Sequence, residues 1–253
     1  MGQPTTATPG GAPTTPKEGK TYVLVAGACH GGWCWKDVAG RLRAQGHAVY
    51  TPTQTGVGER SHQLSMRPTL ETFIEDVTQV LRYEDLGEVI LVGHSFGGST
   101  VSAIADRMPE RLRHLVYLDA LLLESGERAL HGSSAEAMES WKQRTQSSGG
   151  LGMDPAEPAL YGITDPQQAA WLKSKLTPHP FQTFLDPLVL QHPLGNGVPA
   201  TYIYATEPLF GPTAASRGIA QRQPGWRMIG MPTGHNIMML MPAELAELLA
   251  AID

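Results

Sequence analysis

Apolar and polar positions switch between two periods along this chain. Residues 21–26 form a β-rich apolar run and predict a strand; 36–45 predict a helix, and 47–51 a second strand. A polar loop containing Gly56, Gly58, Glu59 and Arg60 follows, as far as Pro68. Thr69 is placed to cap a helix whose apolar stripe is Phe73, Val77, Val80 and Leu81. Residues 89–93 are apolar and closed by a glycine, as in a buried strand, and 96–108 carry small and apolar residues at helical spacing. Residues 112–118 predict another strand, with Asp119 directly after it. From 121 to about 180 the pattern breaks into short helical pieces, such as 134–146 and 166–175, punctuated by Gly, Ser, Ala and Pro. Strand and helix signals then resume: a short helix over 181–190, a strand over 199–205, a helix over 211–223, a strand over 226–230 and a closing helix over 242–252.

Alternating strands and helices predict an α/β fold, a mostly parallel central sheet flanked by helices, with 121–180 as an inserted, mainly helical cap. Met138, Trp141, Met153, Tyr161, Trp171 and Leu172 supply the cap's apolar faces, some for its own small core and some to cover a site beneath it. Residues 1–19 are rich in Pro, Thr, Gly and Ala without periodicity and are expected to be a disordered leader. The expected division is therefore a leader over 1–19, a core over 20–120 and 181–253, and a cap over 121–180.

Chemistry enters at the switch from strand to helix near residue 95. Ser95 stands there between Gly93 and Gly97 in the order Gly-His-Ser-Phe-Gly. So tight a turn takes φ > 0 and projects the hydroxyl above the sheet edge, beside the N-terminus of the next helix. This strand-turn-helix setting resembles the nucleophile elbow of the α/β-hydrolase family. A serine hydroxyl needs a base to act at neutral pH, and the base needs an acid to hold its tautomer. Of nine histidines, His235 alone sits in a Gly-His pair before a final helix. It also follows every candidate acid, giving the order Ser, acid, His of this fold. Glu207, after the strand at 199–205, is the expected acid. Asp119, at a strand end where some members of the fold carry theirs, is the alternative, with Asp186 behind both.

The resemblance narrows further. The run 22–35, the elbow, the Thr-Glu turn at 206 and the Gly-His at 234 together look like the subgroup of plant methylesterases and hydroxynitrile lyases, with bacterial esterases and carbamate or pyrethroid hydrolases. That resemblance implies an oxyanion hole from the amides of Ala28 and Phe96, and a site shaped by Gly27, His30, His94 and Asn236. The subgroup's usual acid is aspartate, where this chain has Glu207. Its lyases carry a threonine and a lysine where this chain has Gly27 and Asn236, so cyanohydrin cleavage is not expected.

Composition bounds the remainder. With 253 residues the chain is long enough for one large core. Its formal charge is −5, from 19 basic and 24 acidic residues without a basic run, which argues against nucleic acid or an anionic membrane surface as partner. Cys29 and Cys34 are too few for a disulfide scaffold and are expected reduced and buried. No apolar stretch approaches about 18 residues and no signal peptide is visible, so a cytoplasmic location is the expectation.

The reading that follows is a serine hydrolase cleaving a carboxylic ester of a hydrophobic small molecule, with no metal or organic cofactor. A carbamate, amide or lactone hydrolase stays open, as does a non-catalytic small-ligand binding protein on the same fold. A dehalogenase would want a carboxylate at position 95.

Overall fold

The computed structural model describes residues 19–131 and 133–252. Apart from Gly19, the leader expected over 1–19 lies outside the described residues. Six strands, β1 (Thr21–Val25), β2 (Ala48–Tyr50), β3 (Val89–His94), β4 (Leu112–Leu118), β7 (Ala200–Ala205) and β8 (Arg227–Met231), form one sheet in the order β2-β1-β3-β4-β7-β8. Every pairing in it is parallel. Parallel strands need crossovers, and helices supply them: α1 (Lys36–Ala44), α2 (Leu70–Tyr83), α3 (Gly97–Arg107) and α7 (Ala214–Arg222), with α8 (Ile237–Leu240) and α9 (Pro242–Ala250) closing the chain.

The period of two along each strand divides the core into two layers. Val23, Val25, Val89, Leu91, Leu115 and Tyr117 face α2, α3 and the cap. Tyr22, Leu24, Ile90, Val92, Val116 and Leu118 face α1, α8 and α9. Burial on both faces explains why the central strands read as nearly continuous apolar runs. Helix α2 begins where its sequence predicts: Thr69 and Thr72 satisfy each other's amides in a reciprocal cap, an arrangement worth about 1 kcal/mol. Phe73, Ile74, Val77 and Leu81 are fully or nearly buried on its inner face.

Between β4 and β7 the chain leaves the sheet and builds the cap from α4 (Ala135–Gln143), α5 (Pro166–Lys175) and α6 (Gln182–Leu185). An antiparallel pair, β5 (Gly152–Met153) with β6 (His179–Pro180), ties the cap together. At two residues each, these strands are too short for any periodicity to announce. Leu172 forms a small separate core with Tyr161 and Ile163, whereas Met138 and Trp141 pack against the main core. Trp171 is exposed and stands edge-on to Trp33, 5.6 Å between ring centroids. Leu172 and Tyr161 thus serve the cap's own small core, and Met138 and Trp141 join the main core.

Candidate active site

Ser95 occupies the turn between β3 and α3 at φ 52°, in the left-handed region. The surrounding chain holds it there: its amide donates to Leu118 O (3.1 Å) and its carbonyl accepts from the Leu121 amide (2.8 Å). Close approach requires glycine at 97, where a Cβ would lie 2.8 Å from the carbonyl oxygen of Ala26. The Ser95 hydroxyl donates to His235 Nε2 over 2.9 Å, and His235 Nδ1–H donates to Asp119 Oδ2 over 2.7 Å. His235 is 2% exposed and Asp119 fully buried. The ring of Phe210 stacks on the imidazole, 3.6 Å between centroids and 17° from parallel.

The carboxylate hydrogen-bonded to His235 is thus that of Asp119, the alternative acid, and not that of Glu207, the expected one. Asp119 directly follows β4 at φ 41°, anchored by its amide on Ile203 O (2.6 Å). Its Oδ1 accepts from the Thr213 hydroxyl (3.1 Å) and lies 3.7 Å from the Arg217 guanidinium. Glu207 sits past the end of β7 with its side chain exposed, and its amide donates to Thr233 O (3.1 Å). What the turn after β7 brings to the imidazole is the Phe210 ring. Asp186 serves elsewhere: its Oδ2 accepts from the Leu70 amide in the open first turn of α2 (2.9 Å).

Burial pushes the Asp119 carboxyl up to about 6, opposed by His94, Thr213 and Arg217. Burial, reinforced by His30, pushes His235 well below the ordinary imidazole value. The imidazole is thus held neutral, as a proton acceptor must be, with its one N–H committed to Asp119.

The loop after β1 passes close over Ser95. A Cβ at Gly27 would fall 2.6 Å from the Ser95 Cβ, so a side chain there displaces either the loop or the elbow. Among the described residues neither the Ala28 nor the Phe96 amide donates to another protein group. His30 braces this loop. Its Nε2 accepts from the Asn236 side-chain amide (3.1 Å), which fixes the proton on Nδ1, and Nδ1–H donates to Ala28 O (2.8 Å). Burial pushes its pKa down to about 4. His94 donates from Nε2 to the His235 carbonyl (3.0 Å) and so holds the backbone of the residue next to Ser95 in space.

A cavity of about 370 Å³ opens above Ser95 and His235, walled by Leu121, Leu130, Trp141, Met153, Tyr161, Phe184 and Phe210 among others. Arg144 also lines it, its guanidinium 5.5 Å over the Trp141 ring and its Nη2 donating to Asp154 O (2.5 Å). Cys29 and Cys34 are both free and buried, and burial pushes the Cys29 thiol up to about 12, leaving it inert. Among the described residues no cluster of three or more His, Cys, Asp or Glu could hold a metal ion, and no helix is long and apolar enough to cross a membrane.

Sequence reading missed Phe210, Thr213 and Arg217. Thr213 and Arg217 lie where the sequence carries only a generic helix signal, with Phe210 just before it, and their relation to Asp119 and His235 exists only after β4 and β7 pair.

The chain is similar to several known proteins. A carbendazim hydrolyzing esterase from Nocardioides sp. (strain SG-4G) is 37% identical over 241 residues, 91% of this chain and 98% of that protein. Salicylic acid-binding protein 2 of Nicotiana tabacum is 33% identical over 136 residues, 53% of this chain and 50% of its own length. Among solved structures, an extracellular α/β-hydrolase from a Paenibacillus species superimposes with a TM-score of 0.78 at 26% identity, covering 91% of this chain and 98% of that one. A pyrethroid hydrolase from Sphingobium faniae JZ-2 shares the fold, with a TM-score of 0.71 at 22% identity over 91% of this chain and 96% of its own. The Paenibacillus protein overturns the cytoplasmic expectation, since a relative with this fold throughout is extracellular. A profile described as the alpha/beta hydrolase family matches residues 22–248, and with a relative 37% identical over nearly the whole of both proteins, the chain belongs to that family.

Proposed function

We propose that this enzyme, a hydrolase of small hydrophobic esters and carbamates, works through an acyl group carried on Ser95. The observation that carries the proposal is the continuous line from Ser95 through His235 to Asp119, 2.9 and 2.7 Å, on the floor of an apolar cavity. The esterase relative covering 91% of the chain supports the reaction class.

In the proposed cycle Ser95 Oγ attacks the substrate carbonyl while His235 Nε2 takes its proton. The imidazolium is stabilised by Asp119, which keeps its own negative charge. The tetrahedral oxygen anion accepts from the Ala28 and Phe96 amides, donors whose individual loss costs about 3 kcal/mol in a comparable hole. His235 then protonates the departing alcohol, and water repeats the sequence to release the acid. With a carbamate the same steps hold, and the leaving group depends more heavily on the proton from His235.

The division into core, 20–120 and 181–253, and cap, 121–180, is part of this proposal: the core carries the reacting groups and the cap most of the substrate wall. The cavity favours an apolar body, and Arg144 offers one cationic donor for a single acceptor upon it. The test is hydrolysis of p-nitrophenyl acetate and butyrate by the wild type and by Ser95→Ala. The expected result is a fall in kcat/KM of at least about 10⁴; equal turnover overturns the proposal and leaves a ligand-binding protein on the same fold.

A further inference from the structure

The loop that passes over Ser95 is held from the cap. Cys29 follows the proposed oxyanion donor Ala28 and has φ 67°, a conformation that a residue other than glycine keeps only where its surroundings hold it. Both of its backbone groups are bound by one cap segment. The Cys29 amide donates to His179 Nδ1 (3.2 Å), and its carbonyl accepts from the Thr177 amide (3.2 Å).

His179 is set up to accept. The Thr183 hydroxyl donates its proton to Pro180 O (2.8 Å), so its oxygen receives His179 Nε2–H (3.1 Å). Nδ1 is then the bare nitrogen, facing Cys29. The ring is fully buried, and burial pushes its pKa down to about 3, so it stays in this form at any working pH. The same ring packs edge-on against Phe96, 4.9 Å between centroids, with Phe73 and Phe184 closing the cluster. His179 therefore touches both sides of the hole: the backbone adjoining Ala28 and the side chain of Phe96.

We propose that His179 is a positioning residue through which the cap aligns the two oxyanion donors. It touches no reacting atom. It fixes the turn that aims the Ala28 amide, and it makes the cap part of the catalytic geometry as well as the substrate wall. This rests on the acyl-serine reading above.

The experiment compares His179→Asn, whose side-chain oxygen takes the place of Nδ1, with His179→Gln, whose oxygen falls near Nε2, and with His179→Leu, which offers no acceptor. Each full-length variant is assayed with p-nitrophenyl butyrate and with a trifluoromethyl ketone, whose adduct on Ser95 places an oxygen anion in the hole. A misaimed donor retains part of its effect, so the expected loss in His179→Leu is about 10- to 100-fold in kcat, with KM within about threefold. Ketone affinity falls by the same factor as kcat/KM, and His179→Asn recovers most of both. If His179→Leu fails to fold, the Asn and Gln pair decides: Asn near wild type and Gln impaired in kcat and ketone affinity supports the proposal. Equal kcat and ketone affinity in wild type, Asn and Gln overturns it, as does a loss confined to KM. Failure of the underlying reading looks different, because Ser95→Ala would then turn over like the wild type.

Discussion

Two neighbouring strands of one sheet, β4 and β7, each lead into a carboxylate, and the fold treats the two oppositely. Asp119, after β4, is fully buried, with His235, Thr213 and Arg217 around it. Glu207, after β7, is exposed, and its turn contributes backbone and the Phe210 ring to the site. A carboxylate in water steadies a nearby imidazolium by only about 1 kcal/mol, whereas one withdrawn from water at the same distance does so about four times as strongly. Withdrawal alone would also neutralise it. The end of β4 avoids that outcome because Arg217 and the Thr213 hydroxyl oppose burial. Position at a strand end is therefore not enough to make an acid useful; the groups packed around it decide.

The sharpest way to break this comparison is Asp119→Asn. Asparagine fills the same space but presents an amide to His235 Nδ1 and favours the wrong tautomer, so kcat/KM should fall by about 10³- to 10⁴-fold. The loss should not be a folding defect. Because burial raises the Asp119 carboxyl to about 6, its ionised form at pH 7 opposes folding by roughly 3 kcal/mol relative to the unfolded chain. A neutral asparagine is free of that opposition, and the variant should melt at or above the wild-type temperature at pH 7. A cooperative melt at a markedly lower temperature would mean that Asp119 is chiefly structural.

The next effect is on pH dependence. Asp119 must be charged to stabilise the imidazolium, so kcat/KM is nearly full above about pH 7, half lost at about pH 6 and falls further below it. Arg217 is one of the groups keeping that carboxyl from rising further. Arg217→Met should lower kcat/KM at pH 7 by about tenfold and move the acid limb to higher pH, because a less favoured carboxylate is protonated sooner. A profile that fails to move would remove Arg217 from the account.

This contrast also marks what the sequence could reveal. Strand and helix periods, the Ser95 turn, the Thr69 cap and the lone Gly-His before the last helix are local patterns, and each recurs in the structure at or within a few residues of its expected place. Which acid meets His235 is a question of pairing between β4 and β7 and of what α7 lays over them. Arg217, in the interior of α7, carries no local signal of that role. His179 is similar: it becomes visible only when the cap strand folds back onto Cys29. Short elements such as β5, β6 and α8 escaped because two to four residues cannot display a period.

Phe210→Ala tests the contribution of the β7 turn itself. An aromatic pair of this kind is worth about 0.5–1.5 kcal/mol, so removing the ring that covers His235 should cost about two- to tenfold in kcat.

The smallest expected effect belongs to Glu207→Gln, and it is the most discriminating. Removing the charge from an exposed glutamate whose amide, not its carboxylate, is engaged should change kcat/KM by less than about twofold and leave the acid limb unmoved. Adding the same change to Asp119→Asn should produce no further loss, since the remaining acid would have had no share to give. If the double variant loses a further tenfold, Glu207 is reaching the imidazole whenever Asp119 cannot, and the two strand ends are alternates rather than opposites.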